Sequence, residues 1–165
     1  MKRIVLAGGC FWGVEAYFKL LKGVIDTEVG YTNGNFDNPT YQDLIKHRAT
    51  HAEAVAITYD DKLISLETLL GHMFRFIDPT SVDKQGNDIG HQYRTGIYYK
   101  DESDREVALA FLNKKAEFYK KPLAIEVIPE QGFFNAEEYH QDYLDKNPYG
   151  YCHVNLGLVK KEERK

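Results

Sequence analysis

Hydrophobic and polar positions recur along this chain with periods that define most of its elements. Ile4 to Ala7 is a short unbroken apolar run, which predicts a buried strand. From Phe11 to Lys22 the apolar residues Val14, Tyr17, Phe18 and Leu21 fall on one helical face, and Gly23 supplies a stop. Val24 to Tyr31 predicts a second strand, with Ile25, Thr27, Val29 and Tyr31 on one face. Residues 32–43 contain Asn33-Gly34-Asn35 and Asp37-Asn38-Pro39 and read as loop. Ala52 to Tyr59 predicts a third strand, turned by Asp60-Asp61. Leu66, Leu69, Leu70, Met73, Phe74 and Ile77 form a helical stripe that ends at Asp78-Pro79. Residues 80–94 show no period, and an aperiodic stretch of about fifteen residues inside a domain is often functional. Thr95 to Lys100 predicts a fourth strand. Ser103-Asp104-Arg105-Glu106 has the capping-box pattern ahead of a helix striped by Val107, Phe111 and Phe118. Leu123 to Ile128 predicts a fifth strand, Ala136 to Leu144 a short helix, and a loop-rich tail begins at Asn147.

The order β-α-β-β-α-β-α-β contains the ferredoxin-like βαββαβ core. The expected fold is α+β, a two-layer sandwich with that core, an added helix and strand, and a loop-rich C-terminal tail. A doubly wound parallel sheet is disfavoured, because no helix separates the second and third strands. A single domain over residues 1–165 is expected, with residues 146–165 as the tail that carries Cys152.

Composition narrows the function. A formal charge of −4 disfavours nucleic acid or an anionic membrane as partner. No run approaches the ~18 apolar residues of a membrane span. Ile4 to Ala7, behind Met1-Lys2-Arg3, is too short for the apolar region of a signal peptide, so a cytoplasmic location is expected. Lys160, Lys161, Arg164 and Lys165, mixed with Glu162 and Glu163, predict a solvated, frayed end. Two cysteines cannot build a disulfide scaffold, which favours a reduced, catalytic or redox-active role. The 12 Tyr and 9 Phe residues suit either an aromatic-rich core or an aromatic site that also supplies hydrogen bonds.

The strongest chemical signal is Gly8-Gly9-Cys10-Phe11-Trp12-Gly13, where a strand turns into a helix. Unpaired N–H groups and partial positive charge at a helix N-terminus favour the thiolate, the reactive form. Flanking glycines let the backbone approach a ligand, and the only Trp adjoins this Cys. A buried structural cysteine among core aromatics is the alternative. Glu53 shares the bulky face of its strand with Val55, Ile57 and Tyr59, so burial would raise its pKa and make it a proton donor near neutral pH. Its alternative is a solvent-facing carboxylate at a strand start. His51-x-Glu53 lacks the Pro-Cys-x-x-Cys partner of zinc deaminases, and no His-Glu-x-x-His occurs, so no metal site is expected. Asp88 and Tyr93 lie in the aperiodic segment, and Tyr41 ends the earlier loop. Cys152, in the tail, is placed to attack an oxidised Cys10 or is incidental.

These residues resemble the peptide methionine sulfoxide reductase A family over nearly the whole chain. Gly9-Cys10-Phe11-Trp12-Gly13 is similar to its catalytic signature. Gly30-Tyr31-Thr32, Asn38-Pro39-Thr40-Tyr41, His51-Ala52-Glu53, Gly86-Asn87-Asp88 and Gln92-Tyr93-Arg94 follow in its order, and Asn147-Pro148 through Cys152 resembles its end. The resemblance implies reduction of methionine S-sulfoxide, free or in proteins. It implies that Cys10 attacks the sulfur, that Glu53 protonates the oxygen, and that Tyr41 and Tyr93 hydrogen-bond to that oxygen. Phe11 and Trp12 would hold the S-methyl group, and Asp88 the substrate main chain. Cys152 would resolve a sulfenic acid on Cys10 as a disulfide, which thioredoxin, or dithiothreitol in its place, would reduce. No metal or organic cofactor is implied, and a monomer is expected. Gly157-Leu158 stand where some members carry a third cysteine, and R-sulfoxide activity is expected to be missing. The competing readings are another thiol peroxidase or oxidoreductase, weakened by the lack of Cys-x-x-Cys, and an aromatic peptide-binding groove without chemistry.

Overall fold

A computed structural model describes all 165 residues. In chain order the elements are β1 (Lys2–Ala7), α1 (Phe11–Lys19), β2 (Val24–Thr32), α2 (Tyr41–Ile45), β3 (Ala52–Tyr59), α3 (Leu66–Phe74), β4 (Lys84–Gln85), β5 (Asp88–Ile89), β6 (Thr95–Tyr99), α4 (Glu102–Ala116), β7 (Ile125–Pro129), β8 (Phe133–Asn135) and α5 (Tyr143–Lys146). Six strands form one sheet in the order β7-β6-β1-β3-β2-β8. Its centre, β6-β1-β3-β2, is antiparallel throughout and is the expected ferredoxin-like core. The crossover through α4 adds β7 parallel to β6, and β8 pairs antiparallel with β2 at the other edge.

Strand alternation divides the buried residues between the two faces. Ile4 and Leu6 of β1 and Val55, Ile57 and Tyr59 of β3 join the main core with Val14, Tyr17 and Phe18 of α1, Leu69, Leu70 and Met73 of α3, and Phe111 of α4. The opposite face is lined by Val5, Ala7, Ala52, Ala54, Ala56 and Tyr98 and is covered in part by Phe133. The bulky face of β3, to which Glu53 belongs, therefore points at α1.

Several expectations are corrected. α1 ends at Lys19, not Lys22, with Gly23 at φ +93 in the left-handed region that favours glycine. Ile25 is 51% exposed, because a bulge between Val24 and Asp26 turns it outward and lets Val24 fill the core position. The loop at 32–43 ends in α2, whose N-cap Thr40 exchanges capping-box hydrogen bonds with Asp43. The pattern at Ser103 is no cap. α4 starts at Glu102, and Asp104 is buried and bonded by Lys2 Nζ at 3.0 Å. The stretch at 80–94 holds the β4–β5 hairpin. Ala136 to Leu144 is not one helix. A 3-10 turn spans Glu138–His140, and Asp142 at φ 52 breaks the chain before α5. The C-terminal end is anchored rather than frayed. Arg75 binds Glu163 through both terminal guanidinium nitrogens at 2.7 and 2.8 Å, holding that carboxyl down at a pKa of about 2. Lys22 N–H donates to the Glu163 carbonyl at 2.9 Å, and Lys165 N–H to that of Leu20 at 2.9 Å.

Candidate active site

The turn that leaves β1 delivers Cys10 to the N-cap of α1. Gly9, at φ +94, makes that turn possible. Cys10 is 7% exposed, and its side chain does not cap the helix. The helix offers an N–H at Phe11, which donates to Glu53 Oε1 at 3.3 Å, and Gln92 Nε2 donates to Glu53 Oε2 at 3.0 Å. Glu53 itself is 1% exposed. Burial raises its pKa to about 8 against these two donors, with the Asp88 charge adding to the rise. The carboxyl is thus protonated at neutral pH, as its strand face suggested.

Cys10 departs from the expected thiolate. Burial, and then the nearby Glu53 carboxylate, push its pKa well above the usual thiol value, while the Trp12 backbone N–H acts the other way. One helix N-terminus does not outweigh near-complete desolvation, so the resting sulfur is a thiol.

Two phenols share this space. Tyr41 opens α2, its N–H donates to Glu137 Oε2 at 3.0 Å, and its hydroxyl lies close enough to that of Tyr93 for the two to influence each other's ionisation. Burial, then the Glu53 and Cys10 charges, raise Tyr41 to about 12. Burial and the charges of Glu53, Tyr41 and Asp88 push Tyr93 upward as well, so both remain neutral donors. Asp88 Oδ2 accepts from the Tyr151 hydroxyl at 2.9 Å, which brings the tail onto β5.

An aromatic wall completes the site. Phe11 is 1% exposed and lies 5.7 Å from Tyr31 and 5.2 Å from His140, centre to centre. Trp12 stacks on Tyr143 at 3.8 Å, and its indole N–H donates to His140 Nδ1 at 3.0 Å. His140 therefore carries its proton on Nε2, and its ring also meets Tyr41 at 4.7 Å.

Cys10 and Cys152 are both free thiols. Cys152 is partly buried and donates to the Val154 carbonyl at 3.1 Å. A Cβ placed on Gly13 would fall 3.2 Å from Cys152 Sγ, so this thiol rests against the first turn of the helix that Cys10 caps. The structure thus brings together Cys10, Phe11, Trp12, Tyr41, Glu53, Asp88, Tyr93 and Cys152. Nowhere do three His, Cys, Asp or Glu side chains gather as a metal-holding group. No helix is long and apolar enough to cross a membrane.

The family model described as Peptide methionine sulfoxide reductase matches residues 2–165. The chain belongs to this family. It is 52% identical over 161 residues to the Peptide methionine sulfoxide reductase MsrA of Clostridium acetobutylicum, covering 98% of this chain and 99% of that protein. Among solved structures it resembles Mxr1 from Saccharomyces cerevisiae in reduced form, at TM-score 0.88 and 35% identity over 93% of this chain and 91% of that one. It also resembles Mxr1 in complex with Trx2, at TM-score 0.62 and 27% identity over 86% of this chain and 84% of that one.

Sequence reasoning missed three contributors to the site. Gln92 was visible only as a neighbour of Tyr93, yet it supplies a hydrogen bond to Glu53. Glu137 accepts from both the Tyr31 hydroxyl, at 2.8 Å, and Tyr41 N–H. Burial opposes its ionisation, but these donors hold its carboxyl below the usual range. His140 orients the indole. The last two sit in a stretch whose pattern reads as a plain short helix, and their partners lie far away in sequence.

Proposed function

We propose that this chain reduces the S epimer of methionine sulfoxide by thiol chemistry on Cys10, as one catalytic domain with no bound cofactor. One observation carries the reading: Glu53, 1% exposed, stands at the helix N-terminus that Cys10 caps, where burial raises its pKa. Sulfoxide oxygen leaves sulfur only when protonated, and a neutral carboxylic acid supplies the proton. Cys10 Sγ bonds to the sulfoxide sulfur while Glu53 gives its proton to the oxygen. The proton lost from the Cys10 thiol returns to Glu53. Hydroxyl passes to Cys10, and methionine departs with the electron pair on its sulfur. Tyr41 and Tyr93 donate to the oxygen as charge develops there, in the manner of an oxyanion hole.

Phe11 and Trp12 present apolar aromatic walls to the S-methyl group, and Asp88 accepts from a substrate backbone N–H. Cys10 is left as a sulfenic acid, the reversible first rung of thiol oxidation. Cys152 then attacks it, forming a disulfide and water. The Trx2 complex of the yeast relative supports thioredoxin as the dithiol that reopens this disulfide.

Single-turnover reduction of separate S and R epimers, followed by mass spectrometry of the protein, tests this reading. Loss of the S epimer alone, with a Cys10–Cys152 disulfide, is expected. Loss of the R epimer, or a sulfenic acid persisting on Cys10, would contradict the stereochemistry or the resolving role.

A further inference from the structure

His153, the residue after Cys152, has no place in the chemistry so far. Its ring lies along the Gly8–Gly13 turn. Nε2 pairs with the Gly8 carbonyl at 2.9 Å. A carbonyl only accepts, so Nε2 carries the proton and Nδ1 presents a bare lone pair. That Nδ1 is buried and has no hydrogen-bond partner in the protein. Buried acceptors are rarely left without a partner outside working sites.

The glycines of the turn make room for this ring. A Cβ on Gly9 would lie 2.8 Å from Nε2. A Cβ on Gly13 would lie 3.1 Å from Nδ1 and 3.2 Å from Cys152 Sγ. The free imidazole nitrogen and the Cys152 sulfur therefore share one small space above Gly13, on the turn that holds Cys10. Burial keeps the ring neutral by lowering its pKa, with the Gly8 carbonyl and Asp88 opposing. The same burial raises the Cys152 thiol. Such a thiol is a weak nucleophile until a base removes its proton, and an adjacent imidazole is the usual base.

We infer that His153 is the general base of the resolving step, taking the proton from Cys152 Sγ through Nδ1 as that sulfur attacks oxidised Cys10. The Cys152–Cys10 S–S bond forms and the Cys10 S–O bond breaks. Cys152 is oxidised and the sulfenic sulfur reduced, and the departing hydroxide takes the proton from the imidazolium to leave as water. The Gly8 contact holds the ring in the tautomer that this needs. The inference rests on the reading of Cys152 as resolver.

His153→Gln separates the two roles, because its side-chain amide N–H still reaches the Gly8 carbonyl but provides no base. The full chain is mixed with a methionine S-sulfoxide peptide, quenched with a thiol-alkylating reagent at set times and weighed. Disulfide is counted per methionine released, so a folding defect does not imitate the effect. At pH 7, His153→Gln is expected to form disulfide about a hundredfold more slowly than wild type. Its rate climbs about tenfold per pH unit as thiolate accumulates, whereas wild type levels off above the imidazole range. The charged group that acts on the ring is Asp88 on β5, which accepts from the Tyr151 hydroxyl; Tyr151 is in turn coupled to Cys10 and Cys152. All are present in both proteins. Equal rates, or slower formation with a pH profile parallel to wild type, would overturn the base role. Absence of any Cys10–Cys152 disulfide in wild type would instead overturn the resolver itself.

Discussion

The two halves of the site are held in place by different physics. The half made by the β1–α1 turn and β3 rests on sheet register and one helix start. Glu53 sits directly across from Tyr31 in the β2–β3 ladder, and its carboxyl meets the first N–H of α1. The half made by residues 136–165 has only one isolated antiparallel bridge beyond Ala136, between Leu21 and Arg164. It is otherwise tied down largely by single side chains that reach across the sequence. Gln141 imitates a strand, accepting from Val29 N–H at 2.9 Å and donating to the Val29 carbonyl at 2.8 Å.

Two buried glutamates of the framework show the contrast, one facing the site and one holding the wrapped half. Glu53 faces the reacting space, with a pKa of about 8 set mainly by burial. Glu15, on α1, has a pKa raised by burial to about 7, accepts from Thr27 at 2.9 Å and receives the Asp142 N–H at 2.8 Å. Lys19 reinforces this tether through Asp142 and Asp145. The first glutamate faces the site, whereas the second is a clasp. On the proposed function, the framework half would perform the reduction step, and the wrapped half would shape the wall and recycle the sulfur.

The largest expected effect separates those tasks completely. Cys152→Ser should release about one methionine per enzyme in a single turnover and then fail to cycle with thioredoxin. Undiminished cycling would move recycling out of the wrapped half. Next in size, Glu53→Gln should slow the first turnover by about 10²–10⁴-fold.

The same Glu53→Gln substitution should act on stability in the opposite direction. An acid whose folded pKa is raised stabilises fully below its unfolded value and loses that contribution as pH rises to the folded one. For Glu53 the window runs from 4.5 to about 8. Glu53→Gln should therefore gain in melting temperature relative to wild type on going from pH 5 to pH 8. No change in the difference would mean that the carboxyl is not buried as a neutral acid.

His140→Phe keeps the ring but leaves the Trp12 indole N–H without its acceptor. A lost, partly buried hydrogen bond of about 1–2 kcal/mol predicts roughly a tenfold rise in KM for a sulfoxide peptide. A purely catalytic loss, in kcat alone, would assign His140 a different task. The smallest effect is expected for Arg75→Ala. Its partner Glu163 is near the surface, so the melt should move by about 1 kcal/mol or less while methionine release is unchanged.

The framework half was legible in the sequence because its signals are local. Gly8 to Gly13 announces the strand-to-helix turn, and the alternation from Ala52 to Tyr59 puts Glu53 on the core face. The wrapped half was not. The pattern at 136–144 looks helical until Gln141 is drawn to Val29 and Asp142 to Glu15, contacts that span 112 and 127 residues. The charged end looked solvated because Arg75, its anchor, lies 88 residues earlier. Ile25 misled for the same reason, since the bulge depends on pairing with β3. The thiol state of Cys10 was misjudged because a helix terminus is visible in sequence, while the depth of burial is not.

The most direct test of the central claim is the pH dependence of first-turnover methionine release from the S-sulfoxide, in wild type and in Glu53→Gln. With Glu53 as the acid, wild-type release falls as pH rises through about 8, and the variant is slow with no break there. A wild-type rate that stays level or rises through that range, or a variant that keeps the same break, would contradict the role given to Glu53.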